Sequence, residues 1–375
     1  MLAAPMINRG RFRLFASTTA EYSSLTIEIV HTATVIDMLG LLTLDYRKFT
    51  RWAQQPASFE ASDLQRLKAS GITVFHPAVG FEEADVRASS LRDLSNWNVF
   101  LSAHRDQFQR IDTIEDLKGV KSRGMIGILL GQQNSAHFHT EQDVDFFYRL
   151  GQRVSQLTYD SNRLGGGCSD SRDEGLTGYG ASIIRRMNQV GMAVDVSHCS
   201  DRTTLDAFSV SRKPVLVTHS NCRALVPGSR RCKSDMAIRK MSAGGGVIGI
   251  TMIRPFVRAN RVATMADLFD HIDHAAHIAG VEHVGIGSDV DLEGHDPLLH
   301  LDLSGVQPAK KIFDIAEGLR RRNYSADQIR LILGGNFQRA LAEIWSQAPA
   351  APAMAATAPA VENTSSKEAQ RTSLR

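Results

Sequence analysis

Eight short apolar runs, spaced along one chain and separated by helical patterns, constrain the fold more than any other feature. They are TVIDML (34–39), TVFHPAV (73–79), MIGILLG (125–131), SQLTYD (155–160), AVDVSH (193–198), PVLVTHS (214–220), VIGITMI (247–253) and VGIGSD (284–289). Most are rich in β-branched residues or leucine, as expected of strands buried on both faces. The intervening stretches carry helical periodicity. Residues 61–71, 180–191 and 265–280 each close on a glycine, and Gly191 suits a left-handed cap. The stretch 326–345 also reads as a helix, interrupted at Gly334 and Gly335. Strands alternating with helices in this number predict an α/β fold, a single-domain TIM-like (β/α)₈ barrel, over residues 31–346. Residues 1–30 read as a weakly structured segment. Residues 347–375, rich in Ala, Pro, Ser and Thr, read as a disordered tail, because they lack the apolar side chains to bury.

Composition excludes several classes of function. The formal net charge is +3, and no basic stripe with interleaved aromatics is present, so no nucleic-acid face is expected. No run of about 18 apolar residues exists, so no membrane span is expected. The segment after Arg9, Arg11 and Arg13 is too polar for a secretory signal. Four cysteines without paired spacing argue against a disulfide framework. A cytoplasmic protein is expected.

In a parallel barrel the carboxyl ends of the strands share one rim. That rim would gather Asp37, His76, Gln132, Tyr159, His198, His219 and Asp289. A lone histidine at a strand end is most often a hydrogen-bonded structural residue. Two on consecutive runs, with an aspartate two runs further round, point instead to a shared site. Two neutral imidazoles and a carboxylate can hold one divalent ion and leave a position for water, which the ion would acidify. Arg223, Arg230 and Arg231, in the loop after His219, suit bidentate capture of a carboxylate. His271, His274 and His277 read as a polar stripe on a surface helix, and Gly165–Gly167 as a mobile rim loop. Cys199, next to His198 on its strand, should point away from the site.

Several segments taken together resemble the membrane (renal) dipeptidase family of zinc peptidases. They are GLTGYGASIIRRMNQVGMAVDVSHCSDRTTLDA, KPVLVTHSNCRALVPGSRR, DHIDHAAHIAGVEHVGIGSDVD and GGNFQRALAEIW, and the similarity runs over about residues 30–345. The resemblance implies a metallohydrolase barrel, often dimeric, whose typical members cleave dipeptides with two bridged zinc ions. It implies that His198 and His219 ligate zinc and that Asp289 handles the proton of the attacking water. It further implies that Arg230, or Arg231 if the loop shifts by one, grips the substrate carboxylate. The family's first-strand ligands fall at Leu39 and Leu41, its bridging glutamate at Gln132, and its carbonyl-polarising histidine at Tyr159. Leucines cannot ligate, and two adjacent dications without a bridging carboxylate repel each other. A two-zinc centre is therefore not expected. The expectation is a metal-dependent hydrolase of a dipeptide or related amide, with an altered site holding one zinc through His198, His219 and Gln132. Catalysis would fall to Asp289 and Tyr159, and a homodimer follows by analogy. The alternative is a descendant that binds or transforms an amino-acid-derived metabolite, without metal.

Overall fold

The computed structural model describes residues 11–12, 22–78 and 85–346. The 347–375 segment and most of the first 21 residues lie outside it, as does the end of the second apolar run at Val79. A short antiparallel pair, Arg11–Phe12 with Tyr22–Ser23, precedes the main sheet.

Each of the eight runs forms a strand. These are β1 (Ile36–Asp37), β2 (Val74–Phe75), β3 (in two stretches, Ile126–Ile128 and Gly131–Gln132), β4 (Val154–Gln156), β5 (Ala193–Asp195), β6 (Val215–Ser220), β7 (Ile248–Ile250) and β8 (Val284–Ile286). All neighbours pair in parallel: β3 with β2, then β1, β8, β7, β6, β5, β4 and back to β3. The two stretches of β3 close the ring. Leu129 N–H donates to Phe75 O on one side, while Arg153 N–H donates to Leu130 O on the other. One further strand, Phe108–Arg110, lies outside β3. The architecture is a (β/α)₈ barrel.

Strand residues such as Ile36, Val74, Ile128, Val194, Leu216, Ile248 and Ile286 are buried, as strands covered on both faces require. Helices follow the strands, among them Val86–Ala103, Gly178–Val190, Met265–Ala279 and Lys311–Arg321. Gly191 takes the left-handed cap expected of it, with φ 84°. The final helical stretch breaks at Gly334, whose backbone is extended. A side chain there would lie 2.1 Å from Thr34 O, so the closing helix can meet the start of β1 only at a glycine.

Two expectations need correction. His271 is not on a solvent stripe: it is buried, receives the Cys222 N–H at Nδ1 (3.1 Å), and bonds Val257 O through Nε2 (3.0 Å). An imidazole can be buried when both nitrogens find backbone partners. The Gly165–Gly167 stretch is not a loose rim loop either. Gly166 N–H bonds Thr203 Oγ1, and Gly165 and Gly167 form bridges to Leu176 and Cys199. Among the described residues, no helix is long and apolar enough to cross a membrane.

Candidate active site at the carboxyl rim

β5 and β6 are hydrogen-bonded neighbours, and each ends beside its imidazole. His198 Nε2 and His219 Nε2 lie 3.1 Å apart. The ring of His219 is oriented from behind. Its Nδ1–H faces Thr218 Oγ1 at 2.8 Å, and that hydroxyl donates to Asp195 Oδ2 at 2.7 Å. Asp195 is held in turn by Ser197 Oγ (2.6 Å) and by the Thr218 N–H (3.0 Å). Because the hydroxyl proton is committed to Asp195, Nδ1 of His219 carries a proton and Nε2 presents its lone pair to the site. Tyr159, at the end of β4, stacks on His198 with ring centroids 4.3 Å apart. Burial pushes both histidine pKa values well below the usual imidazole range, and the Arg231 charge pushes the same way. Both rings are therefore neutral at physiological pH.

The third group at the pair is Gln133, not Gln132. Gln133 Nε2 lies 3.4 Å from His219 Nε2. Gln132 points to the other face of the sheet, where its amide nitrogen donates to Asp93 Oδ2 (3.0 Å) on helix Val86–Ala103. Side chains alternate along a strand, so a one-residue difference in register moves a group from the site to the helix layer.

The arginines separate in the same way. Arg230 is exposed. Arg231 is 7% exposed and donates through Nη1 to Ser197 O and through Nη2 to His219 O, both at 2.8 Å. It clamps the two strand ends together, and its charge acts on His198, His219 and Asp289.

Asp289 follows β8 with a left-handed backbone, φ 62°, rare for a residue with a side chain. Its amide donates to Leu39 O at 2.9 Å. Burial raises its pKa to about 7, against the lowering effect of Arg231 and His295. His295 is oriented by Asp302, which takes its Nδ1–H at 2.7 Å and its backbone N–H at 2.8 Å. His76 lies inside the barrel with Nδ1 on Leu129 O (2.8 Å), away from any ligand role at that nitrogen. Cys199 is buried, as expected, with Thr158 Oγ1 3.3 Å from its sulfur.

A tetrahedral ion holding two nitrogens at about 2.0–2.1 Å sets them about 3.3 Å apart, close to the observed imidazole spacing. A carboxylate-linked hydroxyl behind one ring is also what orients a metal-ligating histidine. A half-turn of the Gln133 carboxamide would add an oxygen donor. The set fits one ion. It does not fit two: Leu39 and Leu41 are buried apolar residues, and among the described residues no group of three or more His, Cys, Asp or Glu converges.

Asp195, Gln133 and Lys311, which is buried beside Asp37, were not singled out from sequence. Only Asp195 carried a signal, as an acid inside an otherwise apolar strand.

A closed parallel barrel with imidazoles ending β5 and β6, and a carboxylate after β8, defines a (β/α)₈-barrel protein with a polar centre at its carboxyl face. The chain belongs to the membrane dipeptidase family (peptidase family M19), whose model matches residues 26–354. It is 31% identical over 254 residues to an uncharacterized dipeptidase of Schizosaccharomyces pombe, covering 65% of this chain and 58% of that protein. It is similar to the crystal structure of an amidohydrolase from Pseudomonas aeruginosa, with 25% identity, TM-score 0.74, and coverage of 86% of this chain and 99% of the other. A Rhodobacter sphaeroides metallopeptidase, solved with a phosphinate mimic of the dipeptide L-Ala-D-Ala, shares the fold at 19% identity and TM-score 0.71, covering 84% of this chain and 100% of the other. The chain spans 48–64% of the length of five curated relatives it matches.

Proposed function

We propose that this protein is a one-metal hydrolase of a dipeptide or related amide carrying a free carboxylate. The convergence of His198 and His219, with the His219 tautomer set by Thr218 and Asp195, supports this most directly. His198, His219 and Gln133 would hold the ion, and zinc is the candidate. When bound, such an ion polarises a carbonyl and acidifies water. Asp289 takes the proton of the attacking water and returns it to the leaving amine. A carboxyl with a pKa of about 7 exchanges protons efficiently near neutrality. Tyr159 walls His198 by stacking and holds its ring plane. The Arg231 charge favours an anionic substrate end, while exposed Arg230 lies on the same loop. A cytoplasmic homodimer completes the proposal.

The test is amino-acid release from a panel of dipeptides with and without chelator. Chelator-sensitive release is expected, reduced roughly 10²–10⁴-fold in Asp289→Asn. No release at saturating zinc would remove the hydrolase proposal. Leu39 and Leu41 favour one second possibility, binding of an amino-acid-derived carboxylate without turnover. Calorimetric binding of such a compound by a hydrolytically silent protein would establish it.

A further inference from the structure

We propose that the buried Asp37–Lys311 pair is a positioning device for Asp289. This rests on the proposed function, in which Asp289 handles the proton of water. Asp37 ends β1 and Lys311 starts the helix after the β8 loop, and both side chains are buried. Their ionic contact is loose, Nζ to Oδ2 at 3.6 Å. Their hydrogen bonds go elsewhere. Asp37 Oδ1 accepts the Ser288 N–H at 2.7 Å, and Oδ2 accepts the Ser288 hydroxyl at 2.5 Å. Lys311 Nζ donates to Val290 O and, at 3.2 Å, to Asp291 O. With the Asp289 amide on Leu39 O, four consecutive residues, 288 to 291, are tied down. At their centre sits the left-handed backbone of Asp289. Such a conformation persists only where its surroundings over-determine it.

Stability alone does not account for a buried ion pair, since well-packed apolar replacements often do as well. Here the carboxylate holds the residue before Asp289 and the ammonium holds the two after it. Neither group is bonded to the Asp289 side chain. The pair sets where that carboxyl points and leaves proton transfer to the carboxyl itself.

The groups that act on Asp289 are Arg231, His295 and Lys311, which lower its pKa, and Asp37, which raises it. Charge and position can therefore be separated by two variants of the full-length protein. Lys311→Met removes one charge, and Asp37→Asn with Lys311→Met removes both and leaves the balance unchanged. The readouts are the Asp289 carboxyl titration by carbon NMR without substrate, and kcat and KM with zinc and the best dipeptide. In Lys311→Met the Asp289 midpoint should rise, and kcat should fall roughly 10–100-fold with KM nearly constant. In the double variant the midpoint should return toward wild type while kcat stays low. Recovery of kcat in the double variant would overturn positioning, leaving a charge effect only. Wild-type midpoint and kcat in Lys311→Met would overturn the proposal altogether. Retention of activity by Asp289→Asn would instead sink the proposed function. The NMR arm would still report whether the pair governs Asp289, through a midpoint that rises in Lys311→Met and returns toward wild type in the double variant.

Discussion

His219 Nε2 lies 3.1 Å from His198 Nε2 and 3.4 Å from the Gln133 amide nitrogen, while Gln132, one residue away, bonds Asp93 behind the sheet. The site is therefore two imidazoles and a carboxamide. Each of the three sits just past or near the end of its own strand, and Tyr159, after β4, stacks on His198. The same geometry explains why a single ion fits and a bridged pair does not. A carboxamide is neutral, and the face that could supply further ligands carries Leu39 and Leu41.

Gln133→Glu should tighten zinc binding by about tenfold or more, because a carboxylate is a stronger donor than an amide. Gln132→Ala should leave zinc affinity unchanged. Competition against a chromophoric chelator measures both. Equal effects at the two positions would mean that the strand register at the site differs from the one described.

Thr218→Val keeps the shape of the side chain and removes the hydroxyl between Asp195 and His219. Loss of a group of this kind typically costs 10–100-fold in metal affinity, and roughly that loss is expected here. The buried Asp195 carboxylate also loses a donor, so stability should fall by about 1–3 kcal/mol. Zinc titration alongside urea unfolding separates the two effects. Wild-type affinity in a destabilised variant would show that the relay does not set the His219 tautomer.

The barrel was legible in the sequence because its strands are buried on both faces and so read as plain apolar runs. Glycines such as Gly191 and Gly334 marked where backbone geometry excludes other residues. The pair His198 and His219 was legible for the same reason, as polar ends to apolar runs. What faces the site from β3 was not. That strand breaks after Ile128 and resumes at Gly131. Counting residues cannot fix which side of the sheet a glutamine takes across such a break. Arg230 and Arg231 posed the same one-residue ambiguity in a loop. Lys311 stands next to Lys310 at a helix start, and both are buried, so nothing local marks which of the two ammonium groups reaches the residues after β8. His271 misled because histidine spacing reports a face of a helix, not whether backbone partners await it.

Asp93 gives a pH signature separate from catalysis. It is 1% exposed, and burial raises its pKa to about 7 against the lowering effects of its Gln132 bond and the Arg92 charge. A carboxyl with a raised folded-state pKa contributes stability that is fully present below its unfolded value of 3.8 and lost as pH rises through about 7. Asp93→Asn should flatten this part of the stability profile. Above neutrality it should be more stable than wild type by roughly 1–3 kcal/mol. Urea midpoints for both proteins between about pH 5 and pH 8 provide the comparison. Parallel curves for the two proteins would contradict the assigned burial of this charge.

The proposed function requires a single metal centre built on the imidazole pair. Elemental analysis of protein purified without an affinity metal column, supplied with zinc and then desalted, checks that requirement. The expected result is about one ion per chain in the wild type and none in His198→Ala. Two ions per chain, or one that survives His198→Ala, would contradict the claim and place the metal ligands elsewhere in the barrel. No bound ion at saturating zinc would contradict it as well, and would leave the carboxyl rim as a metal-free binding site.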